Sequence, residues 1–217
     1  TRSTRRRGVL ASLAGEGGGD RIHAEALADP RQDPHYVEPK PTLMQKARAA
    51  DAFVEVGLQL ELWGEKDGSG SGNPRIQQGQ PGRVVASTGV QTLELPAVLS
   101  REWGDVHPYG NPHYWTDPDN GGVVAKSIAA RLAQLDPAGK AAYDANLAAF
   151  LSRLKEKEAG WDRKMAPYRR TKVFTFHNSW PNFAKRFVLE VAGHVEPKPG
   201  IPPSPTHTLE IINLIKS

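Results

Sequence analysis

The chain contains no cysteine among its 217 residues. This absence excludes disulfide bonds, thiolate metal sites, iron–sulfur clusters and cysteine nucleophiles. Any transition-metal site must therefore be built from histidine and carboxylate side chains. The sequence also lacks an apolar run that approaches the roughly 18 residues needed to span a membrane. Residues 8–14, which follow a basic start, are too few and too mixed for the apolar core of a signal peptide.

Charge of one sign does not dominate the chain beyond its first residues. The formal net charge is +4, and four arginines near the start contribute much of it: Arg2, Arg5, Arg6 and Arg7. The other charges are interspersed in sign, as on a solvated surface, and aromatic residues do not interleave with basic ones. We therefore expect no nucleic-acid partner.

The first third of the chain has weak secondary-structure signals. The glycine-rich residues 15–19 predict a loop, and alternating apolar and polar residues over 22–27 predict a strand. Thr42 is a candidate N-cap for a helix, and a short apolar run within residues 51–60 predicts a buried strand. Residues 64–82 are rich in glycine and polar residues, which is typical of a flexible loop or an insertion.

From residue 122 onward the spacing of apolar residues is helical. A run over residues 141–167 predicts a helix about 40 Å long. The chain then alternates between strand-like and helix-like runs, at residues 172–176, 180–187, 189–195 and 204–215. This alternation indicates an α/β fold, and because an α/β lobe normally has more strands, we expect the C-terminal lobe to be incomplete.

Three of the seven histidines lie in segments of similar composition. His35 and His113 each follow a proline and precede an aromatic residue, and His177 follows the predicted strand at residues 172–176. Proline restricts the backbone of the first two segments, and loops at strand ends are where open α/β sheets bind ligands. Since imidazole is the commonest neutral ligand of transition metals, these residues are candidate metal ligands.

Three carboxylates near these histidines are candidates to orient the rings: Asp33, Glu38 and Asp117. A metal-binding imidazole usually donates its second ring N–H to such a group. The histidines are too far apart in sequence to form a local motif, and a single histidine beside a proline is more often a turn or surface residue.

Two of these segments resemble those of a known protein family. Residues 33–42 read DPHYVEPKPT and resemble the D-P-H-x-Y/F-E-P-x-P-S/T segment of the solute-binding proteins of zinc and manganese ABC transporters. Residues 111–118 read NPHYWTDP and resemble the D-P-H-x-W-L-D-P segment of that family. Residues 174–190 are similar to its strand–histidine–helix unit, and the resemblance extends from about residue 11 to the end of the chain.

This resemblance implies an α/β fold of two Rossmann-like lobes bridged by a long rigid helix, with metal bound between the lobes. It implies an N-terminal lobe over residues 1–135, a linking helix over 136–168 and a partial C-terminal lobe over 169–217. It further implies an extracytoplasmic, lipoprotein- or adhesin-like binding protein that is not an enzyme. Such a protein acts as a monomer at the membrane surface and delivers its ion to the permease of an ABC importer.

The resemblance also implies that His35, His113 and His177 bind the ion. Manganese-selective members often have a carboxylate at the third position, and imidazole suits zinc better, so we expect Zn²⁺, with Mn²⁺ as the alternative. The acidic fourth ligand of the family would lie beyond residue 217, and Glu196 is a less favoured substitute. His107 is a candidate auxiliary ligand. Structural or surface roles are expected for His23, His194 and His207.

Two other functions fit the same residues. Three histidines and a water molecule also form a catalytic zinc site, in which Glu38 or Asp117 would act as the general base of a hydrolase. The other alternative is a binding or adhesion module without metal, in which the histidines serve in turns.

Overall fold

A computed structural model of the chain describes residues 8–29, 32–38, 40–64, 70–96, 107–198 and 200–216. Its α-helices include α1 (Val9–Gly18), α2 (Pro41–Ala49), α3 (Pro118–Leu135), α4 (Lys140–Met165), α5 (Pro181–Phe187) and α6 (Pro205–Lys216). Its strands are β1 (Phe53–Glu55), β2 (Arg83–Val85), β3 (Lys172–Thr175) and β4 (Glu190–His194). The mixed α/β fold and the long helix predicted from the sequence are confirmed.

The chain divides into two compact units. The first comprises Thr1–Val90 and Gly121–Leu154, and the second comprises Gln91–Asn120 and Lys155–Ser217. Helices α3 and α4 each contribute residues to both units. The lobe and linker boundaries predicted from the sequence stay a prediction.

In the first unit, β1 and β2 pair in parallel, with Phe53 opposite Arg83. Phe53 packs with Ala47 of α2 and with Ile76 in a buried apolar cluster. The side chain of Asn73 donates hydrogen bonds to the carbonyl oxygens of Ala47 and Ala50, at 3.0 and 2.8 Å, which satisfies the end of α2. The strand and the helix predicted for this region are both confirmed, but the N-cap role predicted for Thr42 is wrong, because the helix begins at Pro41 with Lys40 as its N-cap.

The start of the first unit differs from the sequence prediction. Residues 15–18 belong to helix α1, where a loop was predicted, and residues 22–27 form no strand. Gly18 is buried, and a Cβ atom there would lie 2.2 Å from Cγ1 of Ile22. Gly18 therefore allows close packing of the chain onto the helix, and the glycine-rich run does not break it.

The junction between α3 and α4 is built around Asp136. Its carboxylate accepts hydrogen bonds from the Arg21 guanidinium, at 2.8 Å, and from the Tyr143 hydroxyl, at 2.7 Å. The hydrogen bond from Tyr143, followed by that from Arg21, lowers the pKa of Asp136. A 3₁₀ turn over Pro137–Gly139 separates the two helices.

In the second unit, β3 and β4 are parallel neighbours joined through α5. Lys172 pairs with Glu190 and Thr175 with His194, with an irregularity in register between these pairs. Parallel pairing brings the carboxyl ends of both strands to the same edge. Both strands, α5 and α6 lie close to where the sequence predicts them. Across the described residues, every helix is too short or too polar to traverse a lipid bilayer.

Candidate metal centre

His177 belongs to the second unit and stands just beyond the carboxyl end of β3. The ladder continues past the strand ends, because the Glu196 amide donates to the Phe176 carbonyl oxygen at 2.9 Å. This pairing places the Glu196 side chain beside the His177 ring, with Oε2 2.7 Å from Nδ1. Glu196, the less favoured substitute for the fourth ligand, is thus a hydrogen-bond partner of the His177 ring.

His113 is held by the asparagine two residues before it. Oδ1 of Asn111 accepts the backbone N–H of His113 at 2.9 Å and lies 3.0 Å from the ring Nδ1. Pro112 between them restricts the backbone to a turn that permits both contacts. His113 is buried, with 6% of the residue exposed, and its ring packs against Trp115 at a centroid distance of 5.3 Å.

The amide of Asn111 has a defined orientation. Its Nδ2 donates to Oε2 of Glu94 and to the backbone oxygen of Asn178, each at 2.9 Å. Both partners are acceptors, so the NH₂ group must face them and the carbonyl oxygen must face His113.

His113 and His177 come together in the second unit. Their ring centroids lie 5.1 Å apart, with an angle of 67° between the ring planes. Asn178, adjacent to His177, is bonded to Asn111 through its backbone oxygen. The two histidine segments are therefore joined by a direct hydrogen bond as well as by ring contact.

His35 lies in the first unit, in a segment built like that of His113. Oδ1 of Asp33 accepts the His35 backbone N–H at 2.9 Å and lies 2.7 Å from its ring Nδ1. The indole N–H of Trp63 donates to the carbonyl oxygen of Pro34 at 2.8 Å, which anchors the loop. The orienting role predicted for Asp33 is confirmed by this geometry.

All three rings share one protonation pattern. A carboxylate or amide oxygen accepts a hydrogen bond, so Nδ1 of His35, His113 and His177 carries the proton in the neutral ring. The lone pair then resides on Nε2, the nitrogen through which such a ring binds a metal ion.

The other carboxylates named from the sequence have different surroundings. Asp117 accepts the backbone N–H of Asp119 at 3.0 Å and lies 3.9 Å from the Arg186 guanidinium, and burial raises its pKa. Glu38 is exposed. The orienting role predicted for Asp117 is wrong for His113, since Asn111 takes that position.

The remaining histidines have other environments. His194 lies with Nδ1 2.7 Å from the Thr175 hydroxyl, and burial lowers its pKa. Nε2 of His207 lies 3.0 Å from the His194 carbonyl oxygen, to which it donates. His23 is exposed, and His107 is half-buried, with its carbonyl oxygen accepting the N–H of Gly110.

Two residues that support His113 and His177 in the second unit were not identified from the sequence. Asn111 stands two residues before His113, as Asp33 stands before His35, and this shared position is the signal that could have identified it. Glu94 is distant in sequence from both histidines, and no local pattern marks it.

Comparison with known proteins places these features in a family. The model of the family described as ZnuA, zinc-uptake complex component A, periplasmic, matches residues 8–217. The metal ABC transporter substrate-binding lipoprotein ScbA of Streptococcus cristatus is 27% identical over 181 residues, or 82% of this chain and 56% of that protein. The manganese ABC transporter substrate-binding lipoprotein PsaA of Streptococcus pneumoniae is 28% identical, with the same 82% and 56% coverage.

A solved structure is similar over nearly the whole chain. The crystal structure of a ZnuA deletion mutant with zinc bound matches with a TM-score of 0.79 and 28% identity. The match covers 97% of this chain and 75% of that one. By contrast, the chain spans little more than half the length of the two curated relatives.

The fold and the family match agree with the resemblance in the two Asx-Pro-His segments. Family membership also confirms the extracytoplasmic location predicted from the sequence. The chain belongs to the family of zinc-uptake complex component A, the periplasmic solute-binding proteins of metal ABC transporters.

Proposed function

We propose that this chain belongs to a solute-binding protein that captures a divalent transition-metal ion and delivers it to the permease of an ABC importer. One observation carries the proposal. Each of three histidines has its Nδ1 atom within 2.7–3.0 Å of a side-chain oxygen that can only accept a hydrogen bond. Such partners are typical of imidazoles that bind metal through Nε2.

The proposed ligands are His35, His113 and His177. The proximity of the His113 and His177 rings supports the inclusion of that pair. The inclusion of His35 rests on its segment, which repeats the construction around His113: an Asx oxygen, a proline and a ring held at Nδ1. The permease partner and the action as a monomer are part of the same proposal.

The proposed ion is zinc. Three imidazole nitrogens suit zinc better than manganese, which prefers oxygen ligands. The zinc-bound ZnuA structure supports this choice, whereas the relation to the manganese lipoprotein PsaA keeps manganese as the alternative. Competition between the two ions for the purified protein tests the choice, and zinc should displace manganese.

We propose a binding role without catalysis. The two general-base candidates of a hydrolase are Glu38, which is exposed, and Asp117, which lies close to Arg186. The family match to solute-binding proteins points the same way. Zinc-loaded protein is expected to turn over neither nitrophenyl esters nor phosphate monoesters above the rate of free zinc.

Calorimetric titration of chelator-stripped protein with zinc tests the ligand set. We expect one ion per chain. Replacement of His35, His113 or His177 by alanine should each lower affinity by more than the roughly 10–100-fold that loss of an orienting partner costs. Affinity should also fall in acid, because binding requires neutral imidazoles.

His23→Ala is the matched control, since it removes an exposed histidine of the same chain. Zinc affinity should be unchanged in this variant. Absence of zinc binding by the unsubstituted protein would contradict the proposal. An unchanged zinc affinity in His35→Ala would show that His35 is not a ligand.

A further inference from the structure

Glu94 contacts both histidine-bearing segments of the second unit through a single oxygen. Its Oε2 atom accepts Nδ2 of Asn111 at 2.9 Å and Nδ2 of Asn178 at 2.8 Å. Asn111 holds the ring of His113, and Asn178 is adjacent to His177. The Glu94 carboxylate thus lies at the point where the supports of both rings meet.

The backbone around Glu94 is constrained to make these contacts. Glu94 has φ of 56°, a left-handed conformation that non-glycine residues rarely adopt. The preceding carbonyl oxygen, that of Leu93, accepts the Asn111 amide at 2.8 Å. Gly110 allows this approach, since a Cβ atom there would lie 2.7 Å from the same oxygen. Unfavourable backbone geometry of this kind persists where surrounding contacts enforce it, and it concentrates at functional sites.

The chemistry of the contact sets the tautomer of His113. An asparagine amide presents either its oxygen or its NH₂ group to a neighbour, and the two orientations have opposite hydrogen-bonding character. Glu94 accepts from the NH₂ group together with the backbone oxygen of Asn178, and the two acceptors turn the amide oxygen toward Nδ1 of His113. If the amide were reversed, its NH₂ group would face Nδ1 and favour the proton on Nε2, the nitrogen required for the ion.

We propose that Glu94 is a positioning residue for the metal site, which fixes the Asn111 amide and through it the Nδ1–H tautomer of His113. The inference rests on the proposed function for the identity of the site. It adds a residue that touches neither the ion nor an imidazole, and that acts on both histidine segments through their asparagine neighbours.

Two measurements on Glu94→Ala test this role. In the metal-free protein, two-bond ¹H–¹⁵N correlations of the His113 ring report which nitrogen carries the proton. We expect the Nδ1–H form in the unsubstituted protein and a larger share of the Nε2–H form in the variant, in which the Asn178 oxygen is the remaining acceptor of the Asn111 NH₂ group. Zinc affinity should fall about 10- to 100-fold, as for other partners that orient ligands.

Glu156→Ala is the matched control, because it removes an exposed glutamate from α4 in the same unit. Both the tautomer and the affinity should stay as in the unsubstituted protein. If Glu94→Ala does not fold, Glu94→Asp replaces it; this variant keeps the carboxylate but withdraws it from both amides by one methylene. We expect Glu94→Asp to change the His113 tautomer and the zinc affinity in the same direction, but by less.

The two proposals fail in distinguishable ways. Zinc binding by the unsubstituted protein together with unchanged tautomer and affinity in the folded Glu94 variant would overturn the role of Glu94 alone. Absence of zinc binding by the unsubstituted protein would overturn the proposed function. In that case the tautomer of His113 in metal-free protein still tests whether Glu94 controls the ring.

Discussion

Oε2 of Glu196 lies 2.7 Å from Nδ1 of His177, just beyond the paired ends of β3 and β4. Removal of this acceptor in Glu196→Ala should lower zinc affinity about 10- to 100-fold, because the His177 ring loses the group that fixes its orientation and tautomer. Glu196→Gln keeps an acceptor oxygen and should lose less. Competition with a chromogenic chelator measures both, with Glu190→Ala on the exposed side of β4 as the control. Equal affinity in Glu196→Ala and the unsubstituted protein would contradict this role.

Replacement of Gly110 by alanine and of Gly160 by alanine should change the free energy of unfolding in opposite directions. Gly110 has φ of 99°, and an added Cβ atom would approach the Leu93 carbonyl oxygen, so Gly110→Ala should cost about 1–3 kcal/mol of unfolding free energy. Zinc affinity should fall with it, because the adjacent Asn111 would be displaced. Gly160 lies in α4, where an added Cβ atom would meet no neighbouring atom within 4 Å, and Gly160→Ala should add roughly 0.5–1 kcal/mol. Urea unfolding measures both changes, and a loss of stability in Gly160→Ala would contradict the second.

Arg83 and Glu55 form an ion pair in the interior of the first unit. The guanidinium donates two hydrogen bonds to the carboxylate, at 3.0 and 2.5 Å, and its side chain is only 4% exposed. Arg83→Met should lower the unfolding free energy by about 3–5 kcal/mol, because it leaves a carboxylate unpaired. The double variant Arg83→Met, Glu55→Leu should recover much of this loss. A double variant less stable than the single one would show that the pair is not the cause.

Glu61 predicts a pH dependence of stability. Its carboxylate accepts the backbone N–H groups of Val56 and Gly57, and burial raises its pKa from 4.5 to about 7. The folded chain therefore holds this proton more tightly than the unfolded chain. Protonation of Glu61 therefore contributes at most about 3 kcal/mol to the free energy of unfolding. This contribution is fully present below about pH 4.5 and is lost as the pH rises through about 7.

Urea unfolding at about pH 5 and about pH 8 measures this contribution. Glu61→Gln should show a smaller fall in unfolding free energy between these conditions than the unsubstituted protein. Glu156→Gln, on the exposed side of α4, should keep the full pH dependence. A Glu61→Gln variant with the same pH dependence as the unsubstituted protein would contradict the prediction.

Periodicity predicted most of the second half of the fold. Helix α4 and the order of β3, α5, β4 and α6 follow from apolar spacing and from the turn residues between them. Near the start of the chain the same reasoning was wrong, because Gly18 lies in helix α1 and packs closely against Ile22 instead of reversing the chain. Local patterns do not report which side chain a glycine lies against.

Only some contacts of the candidate site could be predicted from the sequence. His35 and Asp33 are neighbours in sequence, so their contact was predictable. The contacts of Glu94 with Asn111 and Asn178, and of Glu196 with His177, depend on the approach of distant segments. They follow from the pairing of β3 with β4 and from the turn at Gly110, which no local motif encodes.

The Asx-Pro-His construction has a kinetic consequence. A ring already held at Nδ1 has given up its rotational freedom during folding, so little side-chain entropy remains to be lost when an ion arrives. Under the proposed function, changes at the Asx position would alter the residence time of the ion while the three proposed histidine ligands stay the same, which offers a route to tune ion release without replacing a histidine.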